Sequence, residues 1–202
     1  MNFGGKLLKL ITEADEIIFK PFGINKNDHS KYVIVGSSRF YLYPVLREAF
    51  NLTEPGDLDI VIPGKTEWET LKINLEEDGT WEKYKQNYER GIFRPTEEIE
   101  AFDEWKPQLV GDGKDTSVSS TKEIMKNSSV VDGYNFMSFR DIVDYKLKLN
   151  RPKEEAITKL LLQYRNSKDP LVKEKIIKGI LKLIGEEDTQ NQEKAVKDLF
   201  GA

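Results

Sequence analysis

Apolar positions recur at three- and four-residue spacing between residues 6 and 19: Leu7, Leu8, Leu10, Ile11, Ala14, Ile17 and Ile18. This period predicts an amphipathic helix, and Pro21-Phe22-Gly23 ends it. The pattern then shortens. Tyr32-Val33-Ile34-Val35 is an apolar, β-branched run that predicts a strand closing on Gly36-Ser37-Ser38. Helical spacing returns in Tyr41, Leu42, Val45, Leu46, Ala49 and Phe50, predicting a helix from about Arg39. A second strand follows, with Asp57 and Asp59 at its start, Ile60-Val61-Ile62 behind them and Pro63-Gly64 as the stop.

The next stretch predicts a helix over Thr66 to Glu77, with Trp68, Leu71 and Leu75 inward and Thr66 and Glu69 as a capping box. Asp78-Gly79 marks a turn. Thr80 to Gly91 suits a short helix, and its aromatics Trp81, Tyr84 and Tyr88 read as packing. Glu98 to Phe102 alternates polar and apolar as a half-buried strand does. Gly111 to Ser120 is a small-residue loop with the spacing of neither a P-loop nor an EF-hand. Ser120 to Asn127 predicts a short helix with Thr121 near its start. Val130 to Met137 predicts a hairpin turning at Asp132-Gly133. Ser138, with Asp141 three residues on, predicts a capped helix that runs to Arg151-Pro152. Beyond it, Glu154 to Tyr164, Leu171 to Ile184 and Gln192 to Phe200 read as helices, with Pro170 and Gly185 bracketing the second.

Composition narrows the classes. Among 202 residues there is no cysteine, so disulfides and thiolate metal sites are excluded. No apolar run approaches the roughly 20 residues of a membrane span. The first residues have neither a long apolar core nor a small-residue cleavage site, so no signal peptide is expected and the expected compartment is the cytoplasm. A net charge of −4 disfavours general nucleic-acid binding. The charge is uneven: residues 146 to 183 carry eleven Lys or Arg against four acids, a net of +7 that leaves −11 on the rest. The single histidine, His29, lies in a polar loop and reads as a surface residue.

The chemistry concentrates between residues 31 and 63. Side chains two apart on a strand share a face, so Asp57 and Asp59 project together, roughly 7 Å apart at Cα. Two carboxylates so close repel unless a cation stands between them, and hard oxygen ligands suit Mg²⁺. Gly36 permits a tight turn and close approach of backbone to a phosphate. Ser37, Ser38 and the first N–H groups of the following helix make a plausible anion site, or simply an N-cap. Arg39 stands beside them. With 35 acidic residues, acid-x-acid triplets are expected about six times by chance, so the setting of Asp57-Leu58-Asp59, not the triplet, carries the weight.

A strand, a Gly-Ser turn, a helix and an acid-x-acid strand together resemble the nucleotidyltransferase superfamily, the polymerase-β-like fold that includes small antibiotic-modifying nucleotidyltransferases and AbiEii-type toxins. The nineteen residues between Ser37 and Asp57 exceed the gap of compact members and fit a turn-rich insertion over Asn51 to Gly56. On the resemblance, Glu100 is the third acid, with Glu98 as the alternative, and Lys146 faces the triphosphate, with Lys148 or Arg151 behind it. The likeness covers about residues 31 to 157. It implies an α+β fold: a mixed sheet flanked by helices over residues 1–150, then a C-terminal helical extension over 151–202 packed as a bundle. It further implies two Mg²⁺ ions at Asp57, Asp59 and Glu100. An NTP would lie against Gly36, Ser37, Ser38, Arg39 and Lys146, and NMP would pass to an unidentified acceptor hydroxyl. Two other readings stand beside it: a non-catalytic nucleotide- or partner-binding module of the same fold, and, from the +7 segment, a toxin-like enzyme acting on RNA ends. Neither a membrane nor a long duplex nucleic acid is an expected partner.

Overall fold

The computed structural model describes residues 5–42, 54–89, 91–106, 119–138, 141–142, 145, 167–169 and 171. The chain divides into two compact units. The first comprises Met1–Leu42, Glu54–Lys106 and Ser120–Met137 and holds the whole sheet; the second comprises Tyr43–Thr53, Pro107–Ser119 and Ser138–Ala202.

The first unit is α+β. Helix α1 (Gly5–Ala14) buries Leu7, Leu10, Ile11 and Ala14, the stripe the sequence period defines. It widens into a π-helical stretch over Asp15–Phe19 before the chain turns at Gly23, whose φ is +66°. Leu8, counted with the apolar stripe in the sequence, is 48% exposed: it stands one residue off the buried face. Strand β1 (Val33–Val35) is buried at every position. A 3₁₀ turn, Ser38–Leu42, follows it. The helix expected through Phe50 lies outside the described residues beyond that turn.

Strand β2 (Leu58–Val61) precedes helix α2 (Lys65–Glu77), which buries Trp68, Leu71 and Leu75 as its spacing predicts. The expected cap at Thr66 is not the one formed. The helix begins one residue earlier, its N-cap is Gly64, and no side-chain cap bond is made there. The Glu67 carboxylate folds back over Gly64 instead, in the space a side chain at Gly64 would need. The stretch from Thr80 is split: a single turn α3 (Trp81–Tyr84), a 3₁₀ turn, then a hairpin of β3 (Tyr88–Glu89) and β4 (Ile92–Phe93). The two strands are too short for alternation to reveal them. Strand β5 (Ile99–Phe102), helix α4 (Thr121–Asn127), β6 (Ser129–Val131) and β7 (Tyr134–Phe136) complete the unit. α4 carries a complete capping box between Ser120 and Glu123. The hairpin β6–β7 turns through Asp132 (φ 50°) and Gly133 (φ 84°), the left-handed pair that two-residue hairpins favour.

These strands form one seven-stranded mixed sheet in the order β3-β4-β5-β2-β1-β7-β6. β1 is antiparallel to β2 and parallel to β7; β2 is parallel to β5. The register sorts the two faces. Ile34, Ile60, Ala101 and Phe93 form one lateral row. Phe93 in that row meets the rings of Phe22 and Tyr84, and Phe22 meets Trp68, so α2 and the segment after α1 cover this face. The neighbouring row, Val35, Asp59 and Glu100, points the other way.

His29, expected at the surface, is half-buried and structural. Its Nε2 donates to the Gly133 carbonyl (3.0 Å), and Asn135 Nδ2 donates to the carbonyls of His29 (2.9 Å) and Tyr32 (2.8 Å). In the second unit Ser138 plays the expected capping part: its Oγ accepts from the Asp141 N–H (3.1 Å) and donates to the Asp141 carboxylate (2.6 Å). The C-terminal bundle expected over 151–202 lies outside the described residues, except 167–169 and 171.

Candidate functional site

β1 is stopped by a residue with φ +73°, Gly36. Only glycine takes this conformation without cost, so the chain leaves the sheet there in a tight turn. A Cβ on Gly36 would stand 3.4 Å from Asp59 Oδ2. The turn and the aspartate that the sequence pattern linked across twenty-odd residues are therefore adjacent in space.

Asp59 lies in β2 with Val35 on one side and Glu100 on the other. Because β2 and β5 run parallel and in register, Asp59 and Glu100 share a face with Cα atoms about 4.8 Å apart. Both are half-buried. The strand expected from alternation, on which the resemblance places the third acid, thus sets Glu100 beside Asp59. Asp57 stands just before β2 and is exposed. Among the described residues no group of three His, Cys, Asp or Glu side chains is gathered as a metal cluster. Asp59 and Glu100 are the pair brought together; Asp57 flanks them. Glu98, the alternative third acid, is ion-paired with Lys6 (2.7 Å), and that ammonium holds its carboxyl below the usual range.

One member of the row escaped the sequence reading. Extending the antiparallel register of β4 and β5 by one residue sets Arg94 opposite Glu100, and the Arg94 guanidinium is hydrogen-bonded and ion-paired to the Glu100 carboxylate. The signal was present in principle: Gly91 closes a tight hairpin, and Arg94 follows Ile92-Phe93 as the next outward position.

The other expected phosphate ligands divide. Ser37 is half-buried, and its carbonyl accepts from the Phe40 N–H (2.9 Å). Ser38 and Arg39 are only 3% and 6% exposed. Arg39 Nη1 donates to the Met137 carbonyl (2.9 Å), which ties the turn after β1 to the end of β7. Lys146 lies outside the described residues, as does all of the basic segment 146–183 except 167–169 and Leu171.

The donor chemistry at Asp59 and Glu100 fits Mg²⁺, which is ordinarily held by one or two carboxylates and leaves its other positions to water and substrate phosphates. Gly36, itself buried, lies on the Asp59 side of that pair. No protein-family model, no curated protein and no solved structure matches this chain. Among the described residues no helix is long and apolar enough to cross a membrane.

Proposed function

We propose that this chain is a metal-dependent nucleotidyltransferase that moves NMP from an NTP to an acceptor hydroxyl. The observation that carries the reading is the lateral pair Asp59–Glu100 on parallel strands, with the glycine turn after β1 against the Asp59 carboxylate. Mg²⁺ bound at Asp59, with Asp57 flanking, would neutralise the charge of the triphosphate. Gly36 puts no side chain of its own against Asp59, whose Oδ2 a Cβ there would meet at 3.4 Å, so the backbone of the turn lies beside the carboxylate that would hold the metal. The acceptor oxygen attacks the α-phosphorus, the bond to pyrophosphate breaks, and the acceptor proton passes to the Glu100 carboxylate.

Calorimetric titration with Mg·NTP, paired with an assay for pyrophosphate over a panel of small-molecule, protein and RNA acceptors, tests this. Asp59→Asn abolishes release while leaving the urea midpoint nearly unchanged. Turnover retained by purified Asp59→Asn sinks the proposal.

The Arg94–Glu100 pair favours a second reading, a nucleotide-binding module that does not turn over. The guanidinium is hydrogen-bonded to the carboxylate that the transfer reading needs for the acceptor proton. Saturable Mg·NTP binding without pyrophosphate from any acceptor selects this reading; pyrophosphate release gained in Arg94→Ala would show that the pairing is what holds turnover back.

A further inference from the structure

A cavity of about 590 Å³ opens at the other end of the central strands, where β2 leaves the sheet at Pro63-Gly64 and β5 at Asp103-Glu104. Pro63 is four residues beyond Asp59, about 13 Å along the strand. The cavity also opens toward the helix-covered face, because Trp68 on α2 and Tyr88 on β3 line it. Tyr88 pairs with Phe93 and so belongs to the apolar row, not the acid row. This cavity and the Asp59–Glu100 pair are therefore separate.

Its lining is specific. Tyr88 is held between two indoles, with ring centroids 5.8 Å from Trp68 and 5.6 Å from Trp81. Trp68 is fixed in turn by its Nε1–H bond to the Ile62 carbonyl (2.7 Å). Asp103 lies beside them. Its carboxylate rests over Gly91, where φ is +83°, in the space a side chain there would need, and its N–H donates to the Gly91 carbonyl (2.8 Å). The neighbouring charges are mostly satisfied: Glu104 pairs with Lys106 (2.5 Å), and Lys65 pairs with Glu69 (3.5 Å) on the outer side of α2. Among the described residues Asp103 forms no ion pair. Its charge reaches Tyr88, whose hydroxyl is pushed up first by burial and then by Asp103.

A carboxylate that forms no ion pair among the described residues, although Lys106 and Lys122 stand near it, beside the rings of Tyr88 and Trp68 in one cavity, is complementary to an organic cation. We propose that the cavity between the β2 and β5 ends binds an organic ammonium ion, its charge on Asp103 and its alkyl groups against the rings of Tyr88 and Trp68. Ammonium groups are attracted to the negative faces of tyrosine and tryptophan, and a carboxylate at the rim adds to the same field. Lys122, also at the rim, opposes the cation and sets the limit on affinity.

Choline is the probe, read by calorimetry and by tryptophan fluorescence. Saturable binding is expected, with the uncharged carbon isostere of choline about tenfold weaker. Asp103→Asn and Tyr88→Leu each weaken choline by about tenfold; Tyr88→Phe, which keeps the ring, does not. Lys122→Ala binds choline at least as tightly as the unmodified chain. Asp103 is exposed, so its variant stays folded even if Tyr88→Leu does not. Equal binding of choline and its isostere, binding indifferent to Asp103→Asn, or no saturation by choline overturns the proposal.

Discussion

Gly36→Ala tests the geometry on which the candidate site depends. At φ +73° an L-residue brings its Cβ against the neighbouring carbonyl, which costs about 1–2 kcal/mol. The new methyl would stand 3.4 Å from Asp59 Oδ2, an ordinary van der Waals distance, so contact adds little and the backbone term dominates. With a urea slope of about 2 kcal/mol/M, the midpoint falls by roughly 0.5–1 M at constant slope. Three tryptophans report the transition by fluorescence. Gly56→Ala is the control: nothing lies within 4 Å of a Cβ there and its backbone is not left-handed, so the substitution leaves the midpoint unchanged or raises it by restricting the unfolded chain. Equal midpoints for the two variants would falsify the left-handed turn, and with it the approach of Gly36 to Asp59. Under the proposed function Gly36→Ala also weakens Mg·NTP binding, since the methyl is added against the Asp59 carboxylate.

Two further outcomes concern the framework. The Tyr32 hydroxyl, buried and donating to the Lys26 carbonyl (2.6 Å), is pushed up to about 12, chiefly by burial, while an unfolded tyrosine titrates near 10. The folded chain thus holds a proton that the unfolded chain releases; stability is fully present below pH 10 and falls as pH rises toward 12, by about 2–3 kcal/mol. Urea midpoints across that window measure the fall, and Tyr32→Phe flattens it; an unchanged slope in that variant refutes the assignment. Ser120→Ala removes the Oγ that accepts from the Glu123 N–H at the start of α4 and lowers stability by about 1 kcal/mol; a loss under a few tenths means the capping box is not formed in solution.

Legibility in the sequence followed the length scale of each interaction. β2 and β5 were readable because a strand in a covered sheet keeps one periodicity over four or more residues, and α2 because its buried stripe repeats over three turns. The hairpin turn at Asp132-Gly133 was readable because left-handed backbone restricts residue type locally. The start of α2 differs from the expectation: the helix begins at Lys65 with Gly64 as its N-cap and no side-chain cap bond, while Glu67 is ion-paired with Lys31 (3.2 Å). β3 and β4 were missed, because two-residue strands are defined by their partners.

The amino-acid order alone determined that strands and helices both occur in the first unit, that a glycine turn closes its first strand, and that aspartates stand at the start of its second. These follow from backbone sterics and from apolar periodicity, which act between near neighbours. Only the tertiary structure decided that Glu100, not Glu98, stands beside Asp59, that Arg94 answers it from the next strand, and that Arg39 turns inward to the Met137 carbonyl. Strand order and register set those contacts. They arise from pairing segments far apart in the chain, where a shift of one residue would send every side chain to the opposite face.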